Sequence, residues 1–351
     1  MLIMENFFRF ILSGHNKKGC MVGSSFEKAR VLIDKSMAGS IDEADMDAVI
    51  SWPEQELSVL FAASDTVRRA FFSNSVDPCA LMNIKSGGCA EDCAFCAQSS
   101  HNAADVTVRK LAGANEIVEK CREANGKKLT FCVVSSGRKL DKEEIRSVAA
   151  ALANCEGELH ASLGILTEDE LRLLKNAGVS CYNHNLETSR RFYREIVTTH
   201  RYDDRIATVK AAKKAGLCVC CGGIFGMGET WEDRKSLCRE LRDLDVDTIP
   251  LNFLIPIAGI RVRFPAESPM EFLRIIAMFR LAHPHKTIKV CGGREKNLGK
   301  LQSLIFYAGA NGYISGDYLT TKGDGVASDD DMIQLLGLVK KHDMEKTDHR
   351  P

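Results

Sequence analysis

Between residues 26 and 75, apolar side chains recur every three to four positions, in FEKARVLIDKSM, DEADMDAVIS and QELSVLFAASDTVRRAFF. That is the period of amphipathic helices. From residue 80 the pattern changes to short β-rich runs separated by amphipathic stretches. The runs are ALMNIKSG (80–87), LTFCVVSSG (129–137), ELHASLG (158–164), SCYNHNLE (180–187), LCVCCGGIFG (217–226), TIPLNFLIP (248–256), KTIKVCGG (286–293) and GYISGDYL (312–319). Between them, DKEEIRSVAAALAN, TEDELRLLKNAG, TWEDRKSLCRELRDL and NLGKLQSLIFYAGA read as helices, several opened by Thr or Asp and some closed near Gly. Eight β/α units in roughly 260 residues predict an α/β fold, a (β/α)8 TIM-type barrel with an N-terminal helical extension. An open doubly wound sheet is the alternative. The expected division is a helical extension over 1–75, a barrel over 76–341 and a polar tail over 342–351.

Alternation along the strands assigns each side chain to a face. The outer face of a barrel must be apolar to receive helices. Phe131 and Val133, Leu159 and Leu163, Leu251 and Phe253, and Ile288 and Val290 form those apolar sets. What remains points inward: Cys132, His160, Ser162, Asn183, Asn185, Glu187, Cys218, Cys220, Asn252, Lys289 and Cys291. A purely structural barrel fills its lumen with branched aliphatic residues. A polar, sulfur-rich lumen reads instead as a reaction chamber.

Charge and composition then narrow the classes. The 351 residues carry 47 basic and 47 acidic side chains, so the chain offers no electrostatic footprint for nucleic acid or an anionic membrane. No run approaches the roughly 18–20 apolar residues of a bilayer span. Arg9 interrupts the short apolar N-terminus and no small-residue cleavage site follows it, so no signal peptide is expected and the reading is a cytoplasmic protein. Residues 1–20 are expected to be either disordered or upstream of a true start at Met21. Fourteen cysteines are too dilute for a disulfide scaffold. Most of the single ones, Cys79, Cys121, Cys155, Cys181 and Cys238, are read as packing residues.

Cys89, Cys93 and Cys96 form a C-x3-C-x2-C run just after the first strand. Three thiolates so spaced wrap one iron–sulfur cluster and leave its fourth iron without a protein ligand. Structural zinc uses four ligands, and no fourth Cys or His follows at finger spacing; His101 lies five residues on, in a polar loop. With Phe95 between the last two cysteines and a barrel around them, the motif resembles the radical S-adenosylmethionine (SAM) superfamily. The Gly-rich segment Gly222–Glu229 follows the fifth strand on the same barrel face, which makes Gly226 and Glu229 candidates for cofactor contact.

SGGCAEDCAFCAQSS, YNHNLETS, TTHRYDDR, GGIFGMGET, GGRE and AGAN, in that order and spacing, resemble the biotin synthase family over roughly residues 60–335. The resemblance implies insertion of sulfur into dethiobiotin to give biotin, on a (β/α)8 barrel that works as a homodimer with reduced flavodoxin or ferredoxin as electron donor. It implies a [4Fe-4S] cluster on Cys89, Cys93 and Cys96, whose reduction cleaves SAM to a 5'-deoxyadenosyl radical. Glu187 matches the position that holds the SAM ribose, and a carboxylate there accepts from two hydroxyls. Arg205 matches the residue contacting the SAM carboxylate, which a guanidinium fork suits. Asn185 and Asn252 match the positions that bind the substrate's ureido ring; their amides donate to its carbonyl and accept from its N–H groups. His184 faces outward by parity and reads as structural.

The chain departs from the family at its auxiliary [2Fe-2S] cluster, the sulfur donor, which is held there by three Cys and one Arg. Cys132 and Cys220 match two of the cysteines; His160 stands for the third, Lys289 stands for the Arg, and Cys291 is an extra inward thiol. The expectation is a remodelled auxiliary cluster on Cys132, Cys220 and Cys291, of a four-iron type whose fourth iron takes an extra sulfide or, as the alternative, His160. Lys289 is expected to offset cluster charge or bond a sulfide. Two further readings remain at this stage: a related radical SAM maturase with another substrate, as in hydrogenase-cluster or pyrrolysine maturation, and a non-catalytic iron–sulfur carrier.

Overall fold

All eight β-rich runs contain strands, and every pairing among them is parallel. The computed structural model describes residues 21–319 and 321–344, so the expectations for residues 1–20 and for 345–351 lie outside it. The strands are β1 (Ser75–Lys85), β2 (Thr130–Ser135), β3 (Leu159–Ser162), β4 (Val179–Asn183), β5 (Cys218–Cys220), β6 (Gly223–Phe225), β7 (Thr248–Phe253), β8 (Thr287–Val290) and β9 (Gly312–Ile314). β1 pairs with β2 on one side, Ala80 opposite Phe131, and with β9 on the other, Cys79 opposite Ile314. The sheet therefore closes on itself, and the open-sheet alternative is discarded. The fifth run is broken into β5 and β6, both paired to β7. Gly222 sits at the break, where an added Cβ would lie 2.0 Å from the Pro250 carbonyl oxygen.

Helices α1 (Met21–Met37), α2 (Glu43–Ile50) and α3 (Leu57–Phe72) precede β1. Outside the barrel run α4 (Ala114–Gly126), α5 (Lys142–Leu152), α6 (Glu168–Asn176), α7 (Arg190–Ile196), α8 (Tyr202–Lys214), α9 (Trp231–Asp243) and α10 (Pro269–Ala282). Capping boxes of Asp141 with Glu144, Thr167 with Glu170 and Thr230 with Asp233 start α5, α6 and α9 by satisfying otherwise orphaned amides. The last expected helix, NLGKLQSLIFYAGA, forms only as short pieces, Arg294–Leu298 and Leu304–Tyr307, because Gly299 takes a left-handed φ of 51° between them.

The N-terminal helices are bound to the barrel through α10. The Ser36 hydroxyl donates to Leu281 O at 2.7 Å, and the Arg274 guanidinium donates to the carbonyls of Ile50 (2.6 Å) and Trp52 (2.8 Å). The apolar strand faces are buried between sheet and helices as alternation requires: Val133, Leu163, Leu251, Ile288 and Val290 are fully enclosed. Structure also continues past residue 341. β10 (Val339–Lys340) pairs with the start of β1, and a short helix, Lys341–Met344, lies against β1 at that end. Pairing to the edge of β1 satisfies backbone groups that a free polar tail would leave to water.

Candidate active site

The lumen and the loops above it enclose a cavity of about 430 Å³. Cys89, Cys93 and Cys96 line its mouth. Their loop is held by its own backbone: the Cys89 amide donates to Gln98 O (3.0 Å), the Cys96 amide to Cys93 O (3.1 Å), and the Asn102 side chain to Cys96 O (2.8 Å). It is tied across the barrel by Asp92, which accepts from the amides of Thr198 (2.9 Å) and Thr199 (3.2 Å), while Glu91 accepts from the Thr199 hydroxyl at 2.7 Å. Those donors, with Asn102 bonding the carbonyls of Cys93 and Cys96, fix the backbone of the loop, and all three cysteines line the one cavity.

The donor set fits a cluster. The Cys96 sulfur faces the amides of Gln98 and Ser99, which favour its thiolate against the burial that raises it. Burial pushes the Cys93 thiol up to about 12, and nearby Arg205 opposes that. Burial thus favours the protonated form of both thiols, and bound iron would displace those protons. Among the described residues no three His, Cys, Asp or Glu side chains close on one point as ligands of a single ion do. Every described cysteine is a free thiol.

Behind this loop, Glu187 and Arg205 form a buried pair at 3.1 Å. Arg205 also donates to the Asn185 carbonyl and to the Tyr193 hydroxyl, each at 2.8 Å. Glu187 has a left-handed φ of 71°, uncommon for a side-chain-bearing residue and a sign of imposed geometry. The imposition is visible: the amides of Leu186 and Glu187 both donate to Gly222 O, and Ile224 donates back to Glu187 O at 2.7 Å. Burial raises the Glu187 carboxyl while Arg205 pulls it down, and its Oε2 is buried without a partner. Such an orphan acceptor on a cavity wall suits a ligand's hydroxyls.

Asn185 and Asn252 both line the cavity. Asn185 accepts from the Gly222 amide (3.2 Å); Asn252 donates to Gly223 O (3.2 Å) and accepts from the Gly292 amide (3.0 Å). Each amide retains unused donor or acceptor capacity after those bonds. Asn183, inward by alternation but given no role from sequence, donates to the Cys132 sulfur at 3.3 Å and leaves its Oδ1 buried and unpartnered. His184 stacks over the outward Tyr182, ring centroids 6.4 Å apart. Phe95 lines the cavity, whereas Gly226 and Glu229 stand behind its wall. The Glu229 carboxylate accepts from the amides of Gly226 (3.0 Å) and Met227 (2.8 Å) and pairs with Arg234 at 2.9 Å. It shapes the turn. The glycines of this segment answer to close approaches as well: a Cβ on Gly223 would lie 2.7 Å from Glu187 O.

Deeper in the lumen, Cys220 and Cys291 line the cavity, and Cys132 is fully buried beside them. Cys79, read from sequence as packing, is here too: it lines the cavity and packs with Cys132, Cys291 and Ile314. His160 and Lys289 are held by carboxylates at the barrel floor. His160 Nε2 is 3.1 Å from Glu158, and Lys289 Nζ is 2.9 Å from Asp77. Lys341, from the C-terminal helix, pairs with both Asp77 (3.1 Å) and Glu158 (2.5 Å). Burial lowers the His160 imidazole, so it is neutral near pH 7, and against burial Lys289 and Lys341 hold Asp77 ionised.

The chain is similar to known proteins in sequence and in fold. The model of the radical SAM superfamily matches residues 83–241, and that of the biotin and thiamin synthesis associated domain matches residues 250–339. A biotin synthase of Citrifermentans bemidjiense is 46% identical over 86% of this chain and 93% of its own length. One of Nitratidesulfovibrio vulgaris is 47% identical over 83% of this chain and 84% of its own. Among solved structures, methylornithine synthase superposes with a TM-score of 0.79 at 20% identity, covering 90% of this chain and 99% of that one. A maturase of the [FeFe]-hydrogenase gives 0.76 at 15%, covering 92% of this chain and 78% of that one. These last two likenesses are of fold.

Proposed function

We infer, from the premise that this chain belongs to the biotin synthase family of radical SAM enzymes, that it converts dethiobiotin to biotin. The observation that carries the reading is one cavity shared by the cysteine loop, the Glu187–Arg205 pair, two asparagine amides and a thiol-rich floor. A [4Fe-4S] cluster and SAM supply the one-electron chemistry that opens an unactivated C–H bond, and an auxiliary cluster supplies sulfur.

Cys89, Cys93 and Cys96 are the ligands we assign to the first cluster. Glu187, with its orphan oxygen, accepts the ribose hydroxyls of SAM, and Arg205 binds the carboxylate while holding Glu187 in place. Asn185 and Asn252 grip the ureido ring, and their backbone bonds to Gly222, Gly223 and Gly292 fix the amide planes in advance. Phe95 packs against the cofactor. Gly226 and Glu229 act on it through the turn they shape. Cys132, Cys220 and Cys291 carry the auxiliary cluster, of four-iron type; three thiolates leave one iron for a further ligand such as sulfide. Reduced flavodoxin or ferredoxin delivers electrons, the enzyme is a homodimer, and it works in the reducing cytoplasm, which suits a protein whose described cysteines are all free.

The test is anaerobic reconstitution with iron and sulfide, followed by reductant, SAM and dethiobiotin. Both 5'-deoxyadenosine and biotin are expected. 5'-Deoxyadenosine without biotin would assign another substrate, and neither product, with SAM unbound, would leave an iron–sulfur carrier.

A further inference from the structure

Cys79 lies on β1 between Asp77, which is paired to Lys289 on the lumen floor, and Leu81, which lines the cavity wall. All three share the inward parity of the strand. Its neighbours across the two flanking ladders are Thr130 on β2 and Ile314 on β9. Val290 is paired to Tyr313, so Cys291, one residue on, comes up beside Ile314 and meets Cys79 in the lumen. Leu81 is paired to Cys132, which brings that thiol to the other side of Cys79. Cys220 faces them from β5 and lines the same cavity. Cys79, Cys220 and Cys291 line one cavity, and Cys132 packs against Cys79 and Cys291.

A cysteine that merely fills a core gap is enclosed by carbon. Cys79 instead opens onto a cavity beside other thiols, and among the described residues its thiol makes a long polar contact, 3.8 Å, to the carbonyl of Ala80. Three thiolates satisfy three corners of a cubane, and a fourth thiolate on the same wall is the group best placed for the fourth. We propose that Cys79 is an iron ligand of the auxiliary cluster, closing the corner that Cys132, Cys220 and Cys291 leave open. The proposal rests on the reading of those three residues as cluster ligands. Bound there, the Cys79 thiolate would hold the fourth iron until an incoming hydrosulfide replaced it and passed it its proton, which would leave the cluster core intact.

The test removes the radical cluster and examines the auxiliary one alone. The full chain carrying Cys89→Ala, Cys93→Ala and Cys96→Ala is reconstituted anaerobically, reduced, and mixed with 13C-labelled cyanide. It should retain about four irons per chain and show no 13C hyperfine coupling. Adding Cys79→Ala should keep the iron and make the coupling appear, because a coordination site has opened. If Cys79→Ala instead loses iron while Cys79→Ser keeps it with an altered spectrum, ligation is equally supported. Coupling already present with Cys79 in place, or iron content and spectra unchanged in both Cys79 variants, would overturn the proposal. A triple variant holding no iron would overturn the auxiliary-cluster reading itself, which is a separate result.

Discussion

Replacing Arg205 with Met keeps the length of the side chain and removes the charge that faces Glu187. Three hydrogen bonds go with it, to Glu187, the Asn185 carbonyl and the Tyr193 hydroxyl. The pair is almost wholly enclosed, with side chains 10% and 12% exposed. Stranding one partner of such a pair costs about 3–5 kcal/mol. The loss should depend on pH in a definite direction. Burial already raises the Glu187 carboxyl and Arg205 is what pulls it back, so the variant's folded state holds a proton that the unfolded chain releases near the ordinary Glu value. The folded form then binds more protons, and stability falls as pH rises from the unfolded toward the folded pKa, by at most about 1.4 kcal/mol per unit. Below that window the penalty is smallest. Adding Glu187→Gln removes the stranded charge and should recover part of the loss and abolish the pH slope. Anaerobic urea denaturation of the iron-loaded protein from pH 5 to pH 8, for parent, single and double variants, measures all three quantities. Recovered stability without recovered SAM binding would separate the residue's role toward the cofactor from its role in the fold. A single variant losing less than about 1 kcal/mol, or a double variant no better than the single, would refute the account of this pair.

Asn185→Ala and Asn252→Ala should each weaken dethiobiotin binding by about 1–3 kcal/mol by calorimetry, with SAM cleavage in the absence of dethiobiotin close to the parent. Asp92→Asn leaves the Thr198 and Thr199 amides facing a weaker acceptor, and should speed loss of the Cys89–Cys93–Cys96 iron to a chelator without unfolding the barrel. Gly222→Ala should destabilise by at least about 1–3 kcal/mol, read by thermal melting, because its Cβ meets the Pro250 carbonyl at 2.0 Å. Lys289→Met should cost about 3–5 kcal/mol by stranding Asp77 beside Lys341 alone, whereas Lys289→Arg should hold most of that stability in the same melts.

Where the physics is periodic, the chain was legible. Alternation placed Phe131, Val133, Leu251 and Ile288 outside and Asn252, Lys289 and Cys291 inside, because a closed sheet permits only two directions for each side chain. The cysteine loop was legible from spacing alone. Cys79 was not, because the first run was begun at Ala80. Pro78 sits inside β1, opposite Tyr313. A strand begun at Ser75 gives Cys79 the parity of Leu81 and puts it in the lumen. Gly226 and Glu229 read as cofactor contacts from a Gly-rich turn, and the structure shows the local bonds that also shape that turn. Their local contacts are a carboxylate collecting two backbone amides and, at Gly226, a left-handed φ of 87° that favours glycine. Neither leaves a mark that separates it, in sequence, from a ligand loop.

The two departures at the auxiliary site are one change. His160 and Lys289 stand on different strands, yet each is bonded to a carboxylate of the floor, Glu158 and Asp77, and Lys341 joins those carboxylates to each other. With His160 neutral, two ammonium groups face two carboxylates, and the floor carries no net charge. Lys289, expected to offset cluster charge or bond a sulfide, is paired with Asp77 at 2.9 Å in this floor. A floor that is self-neutral leaves the lumen thiols as the candidate iron ligands of the proposed auxiliary cluster. Cys291 at the end of β8 and Cys79 on β1 are the thiols the fold places there.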